Sequence, residues 1–122
     1  MVLTNYARQA LTWAIGSNIT NNFVSYCTLG SGSGTALVSD TILVGEAMRG
    51  QLTGSPDFTV NREVGFQFDF GATTLSGLSM TEFGLQASGA FQTGSLWQRE
   101  AFGSIAFDGT NELQLQSKFA VI

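Results

Sequence analysis

The chain has 122 residues, a net charge of −4 and only 11% charged residues, against a typical ~25%. It contains no histidine and one cysteine, which excludes Ser-His-Asp and Cys-His nucleophile machinery, most zinc sites and any intrachain disulfide. Its five basic residues (Arg8, Arg49, Arg62, Arg99 and Lys118) are scattered rather than striped, which argues against direct nucleic-acid binding.

Residues 4–15 predict the one convincing helix. Thr4 suits the N-cap. Leu3, Ala7, Ala10, Leu11, Ala14 and Ile15 recur at helical spacing as one apolar stripe, and Gly16 suits the C′ position. Trp13 lies off the centre of that stripe, a place for the core rim or for a neighbouring subunit. A polar loop follows at 18–22, then a strand over 23–29 in which Cys27 shares parity with Phe23 and Leu29. Cys27 reads as a buried small hydrophobe rather than a reactive thiol. Residues 30–35, Gly-Ser-Gly-Ser-Gly-Thr, read as a flexible loop. They lack the Gly-Lys-Ser/Thr ending and the following helix of a phosphate cradle.

Residues 36–52 are ambiguous. A strand from about 47 to 60, interrupted near Gly54-Ser55-Pro56, is the reading that fits best. Asn61-Arg62 turns into a strand over 63–70, where Val64, Phe66, Phe68 and Phe70 alternate with polar or small residues. A loop over 71–77 leads to a strand over 78–87, whose parity slips near Thr81 and Glu82 as at a bulge. Residues 88–94 form a hairpin loop centred on Phe91. The next strand spans 95–107 and carries Trp97. After a turn at 108–111, the last strand spans 112–122 with strict alternation. It runs to Ile122, so the C-terminus is expected inside a sheet or against a partner.

Short strands with glycine-rich turns predict a mainly β fold: an antiparallel β-sandwich or barrel-like sheet with one short N-terminal helix. The absence of strand–helix alternation disfavours a parallel α/β sheet. Residues 1–122 read as a single domain. No window approaches 18 apolar residues, and the N-terminus lacks the pattern of a signal peptide. No membrane association is expected.

The nine carboxylates are widely spread, and none is marked by local sequence as part of a catalytic pair. No calcium-loop spacing occurs. The chain is expected to be no enzyme and to carry no cofactor or metal. One charged pair stands out. Folding about Phe91 sets Glu82 nearly opposite Arg99 among Phe83, Leu85 and Trp97. Two arrangements fit: a two-pronged ion pair that fixes strand register, or two exposed charges on a solvated face. The low charge density, with Gln, Asn, Ser and Thr supplying the polar surface, points to association with other protein; the alternative is a neutral monomer. Trp13, Phe91, Trp97 and Ile122 are the candidate interface residues.

Two stretches carry a family resemblance. Thr81-Glu82-Phe83-Gly84-Leu85 is followed, after a Gly-rich loop, by Ser95-Leu96-Trp97-Gln98-Arg99-Glu100-Ala101-Phe102, and the chain opens Leu3-Thr4-Asn5-Tyr6-Ala7-Arg8-Gln9-Ala10-Leu11. This order resembles small virion proteins of tailed bacteriophages. Those carry a short N-terminal helix, a strand with a Gly/Ser/Thr loop, a "T-E-hydrophobic-G-L" strand and a hairpin return with a leucine and an arginine. The chain departs from them after the glycine loop, where residues 36–40 replace a proline-rich stretch.

The resemblance implies a structural protein without catalytic residues, assembled in the host cytoplasm into the virion. The expected function is capsid decoration (a cement protein), with the major capsid protein or tail proteins as partners. A homo-oligomer is expected, with a trimer as one natural arrangement. The alternatives are a tail, baseplate or tail-fibre attachment protein and, from another class, a soluble glycan-binding β-module using Trp13 or Trp97.

Overall fold

The computed structural model describes residues 2–16, 23–90 and 94–120; the side chains of Val2 and Trp13 are not described. Phe91 and Ile122 therefore lie outside the described residues, as do the side chain of Trp13 and the polar loop at 18–22. The elements in chain order are β1 (Val2–Leu3), α1 (Asn5–Ile15), β2 (Tyr26–Gly30), β3 (Glu46–Gln51), β4 (Glu63–Phe70), α2 (Ala72–Leu75), β5 (Ser79–Gln86), β6 (Leu96–Ala106) and β7 (Leu113–Ala120). Of the described residues strands take 44% and helices 13%, and among them every strand pairing is antiparallel. The fold is mainly β with one short N-terminal helix.

The strands form a five-stranded sheet, β1-β6-β5-β2-β3, and a two-stranded sheet, β4-β7. Alternation puts Phe66, Phe68 and Phe70 of β4 on one face, and all three are buried. They meet Cys27 and Leu29 of β2 and Met80 and Leu85 of β5 in one core, which Leu75 and Phe107 also join. Two sheets sharing one apolar layer is the sandwich solution to half-buried strands. Gly50 sits beneath the Phe70 ring, where a Cβ would come within 2.6 Å of it, so β3 approaches β4 at a glycine.

Several expectations shift. The strand at 23–29 begins only at Tyr26, and Phe23 is 55% exposed. The strand at 47–60 stops at Gln51, leaving only an isolated bridge between Asp57 and Gly65 further on. The loop at 71–77 contains the single turn α2, which drives Leu75 into the core. Thr4 accepts from the Ala7 amide, as an N-cap should. Gly16 caps the other end of α1 at φ −88°, so the left-handed cap is not used. The apolar stripe is only partly spent: Ala7 and Ala10 are buried, whereas Leu11 is exposed and Ile15 is 89% exposed. The slip near Thr81 is present as a register shift between Met80 and Glu82.

Candidate functional site

Residues 31–45, between β2 and β3, lie against Glu82 and Arg99. Both side chains are inaccessible to solvent, and Arg99 Nε donates to Glu82 Oε1 at 2.9 Å. They are not cross-strand partners: Glu82 pairs with Ala101 and Arg99 with Gly84, a two-residue offset across β5 and β6. Both point to the sheet face away from the shared core.

There the pair is bound to the loop. Glu82 Oε2 accepts from the Gly32 and Gly45 amides, each at 2.7 Å, and Oε1 accepts from the Val44 amide at 3.0 Å. Arg99 Nη1 donates to the Thr35 carbonyl at 3.2 Å and to Asp40 Oδ2 at 3.4 Å; Nη2 donates to the Ser33 and Gly34 carbonyls at 3.4 and 3.5 Å. Thr81 Oγ1 donates to the Gly32 carbonyl. The loop read as flexible is thus fastened at both its amides and its carbonyls. A row of glycine amides makes an anion-binding concavity, and this one is filled by the chain's own carboxylate.

The glycines are required by space. A Cβ on Gly32 would lie 2.3 Å from Glu82 Oε2 and 2.5 Å from the Gly45 nitrogen; one on Gly30 would lie 2.6 Å from the Gly45 oxygen. Burial pushes the Glu82 carboxyl up, but the Gly45 amide, Arg99 and the Val44 and Gly32 amides outweigh it and hold the group below the ordinary carboxylate value. The pair is expected to fix strand register; the structure adds bonds from both groups to the loop. The pair joins β5 to β6 and both to the loop that covers them.

Sequence reasoning missed a second buried pair. Arg49 Nε and Nη2 donate to Glu46 Oε2 and Oε1, each at 2.9 Å, while Nη1 donates to the Ser88 carbonyl at 2.6 Å. Residues three apart fall on opposite faces of a regular strand. The register shift opposite Leu29 and Gly30 brings these two together. The only sequence signal was two charges in an otherwise small and apolar segment.

Trp97 is half-buried, 6.1 Å from Phe119 between ring centroids, and forms part of the floor of a groove of about 500 Å³. The groove is also lined by Leu3 of β1, by Ala10, Leu11 and Ala14 of α1, by Phe23, Val24, Pro56 and Phe58 of the connecting segments, and by Val64, Phe66, Phe119 and Ala120 of β4 and β7. Phe58 is 71% exposed at the rim. Among the described residues α1 packs chiefly on β6, and the groove lies between it and residues of the β4–β7 sheet. Of the four candidate interface residues, Trp97 lies here; the side chain of Trp13 and the whole of Phe91 and Ile122 are outside the described residues.

Among the described residues no three His, Cys, Asp or Glu side chains gather, and no helix is long and apolar enough to cross a membrane. No family model, curated protein or solved structure matches the chain.

Proposed function

We propose that this chain is a non-enzymatic structural subunit of a tailed-phage particle, a head-decoration protein in the first place, working by docking onto neighbouring subunits. The observation that carries the proposal is the apolar groove floored by Trp97 and rimmed by Phe23 and Phe58. Apolar surface gathered into one groove is a common place for contact with another molecule. With so few charges nearby, little electrostatic cost opposes a close partner. The loop clamp supports the same reading, since a part that resists separation benefits from loops that do not yield. Repeated copies on a lattice would add modest contacts into strong retention.

The groove does not suit a glycan. A sugar needs hydroxyl partners around an aromatic platform, and the residues around Trp97 in the groove are apolar. The neighbouring surface is therefore expected to present a nonpolar segment. The test is mass spectrometry of purified particles together with rebinding of purified protein to stripped ones. Many copies on heads with a gain in heat resistance support decoration. A few copies on tails favour an attachment role, and absence from particles defeats the proposal.

A further inference from the structure

Among the described residues one edge of the two-stranded sheet has no partner strand, and its backbone polarity can be assigned. Gly65 exchanges both backbone bonds with Asp57 at 2.8 Å, and the Gln67 carbonyl accepts from the Thr53 amide at 2.8 Å. The odd-numbered residues of β4 thus aim their backbone groups away from β7. Its even-numbered residues make the bonds to β7, and their partners there are Phe119, Ser117, Leu115 and Leu113. It follows that Gln114, Gln116, Lys118 and Ala120 turn their N–H and C=O groups to the outer edge of β7. Among the described residues nothing pairs with that edge.

The residues along this edge read symmetrically about Leu115: Glu112, Leu113, Gln114, Leu115, Gln116, Ser117, Lys118. An acid and a base stand three positions to either side, with a glutamine next to the centre on each side. Glu112, Gln114, Gln116 and Lys118 are all exposed. Among the described residues neither Glu112 nor Lys118 forms an ion pair, although Lys118 lies near enough to Asp57 to lower its pKa.

We infer that β7 pairs antiparallel with β7 of a second copy of this chain, about a two-fold axis through Leu115. In that register Glu112 faces Lys118 of the second copy, and Lys118 faces the second copy's Glu112. Gln114 faces Gln116 in both directions; Gln114, Gln116 and Lys118 carry outward backbone groups, so the ladder bonds form, and Glu112 stands one residue before the strand. The two Leu115 residues meet as the closely spaced pair on the axis. Moving the axis by one residue sets Lys118 opposite Gln114 or Thr110 and loses both charge pairs.

An edge lysine ordinarily blocks strand addition. Here it blocks strands that lack an acid opposite and admits the chain's own copy. A sheet of two strands is marginal by itself. The pairing makes it four-stranded, with Phe68 and Leu115 of each copy in one apolar row. A two-fold contact is favoured over the trimer entertained from sequence.

The inference does not rest on the particle reading, because isolated protein in buffer tests it. Sedimentation equilibrium on the full chain should show a dimer. Glu112→Lys and Lys118→Glu, each confirmed folded by circular dichroism, should weaken it roughly tenfold or more. The double exchange should restore it. Mixing the two single variants should give a heterodimer, since both cross-strand contacts then have opposite charges. A monomeric or trimeric wild type, single variants that dimerise as wild type does, or a double exchange that fails to recover would each overturn it. Particle binding by a monomer, or a dimer that ignores particles, separates this inference from the proposed function.

Discussion

Glu82 and Arg99 stand two residues out of register on neighbouring strands, and their 2.9 Å contact joins the sheet to the loop that covers it. Each group satisfies loop atoms that would otherwise be stranded: three amides on Glu82 and three carbonyls on Arg99. Removing either should cost on the order of 3 kcal/mol, because the survivor is left buried. Glu82→Gln should be worse than Arg99→Met, since it sets an amide group against three amide donors. A double-mutant cycle by urea unfolding should show strong coupling, and hydrogen exchange should report lost protection at Gly32, Val44 and Gly45 in both single variants.

Gly32→Ala should destabilise by about 2 kcal/mol, the scale of forced overpacking. The added carbon would meet the Glu82 carboxylate and the Gly45 backbone. Gly103→Ala, in an exposed part of β6 with nothing within 4 Å of the new carbon, should be neutral or slightly stabilising. Thermal melts of the two variants make the comparison, and equal effects would refute the close-approach argument.

The Glu82 carboxyl is depressed in the folded state. Such a group binds its proton more readily when unfolded, so its stabilisation is complete above the unfolded carboxyl value of about 4.3. It is lost as pH falls through the lower folded value. Asp57 and Asp108, held low by hydrogen bonds from Thr59 and Thr110, add to the same limb. Stability measured by urea titration should be flat from pH 7 to about pH 5 and fall below about pH 4. Glu82→Gln should flatten that acid limb relative to wild type; an unchanged limb would remove Glu82 from it.

Cys27 is fully buried in the shared core, and burial pushes its thiol far up from the ordinary value. Labelling by a thiol reagent at neutral pH should therefore be slow and accelerate in step with denaturant-induced opening. Fast labelling of the native protein would contradict the packing of β2 against β4.

The parts legible in the sequence were those governed by local period. The alternation Val64, Phe66, Phe68, Phe70 gave β4 its bounds and its buried face, and the parity break at Thr81 located a real irregularity. The Glu82–Arg99 contact was visible from the hairpin, but its offset and its loop partners were not. Those depend on a register shift and on a glycine loop returning from fifty residues earlier. The Glu46–Arg49 pair was illegible because a bulge reverses the parity that would have separated them. The groove was hidden for another reason: α1 has a complete apolar stripe, and only the tertiary arrangement shows that Leu11 and Ile15 remain uncovered.

Docking onto a particle through the Trp97 groove is the proposed role of this surface. The direct measurement is saturable rebinding of purified protein to stripped particles, comparing wild type with a Phe23→Ser, Phe58→Ser variant. Both phenylalanines are mostly exposed, so the variant should keep the wild-type melting profile. Wild type should rebind to a fixed copy number and the variant should lose at least roughly tenfold in affinity, as two apolar anchors of this size imply. Rebinding of the variant at wild-type strength, or no rebinding of wild type, would contradict it.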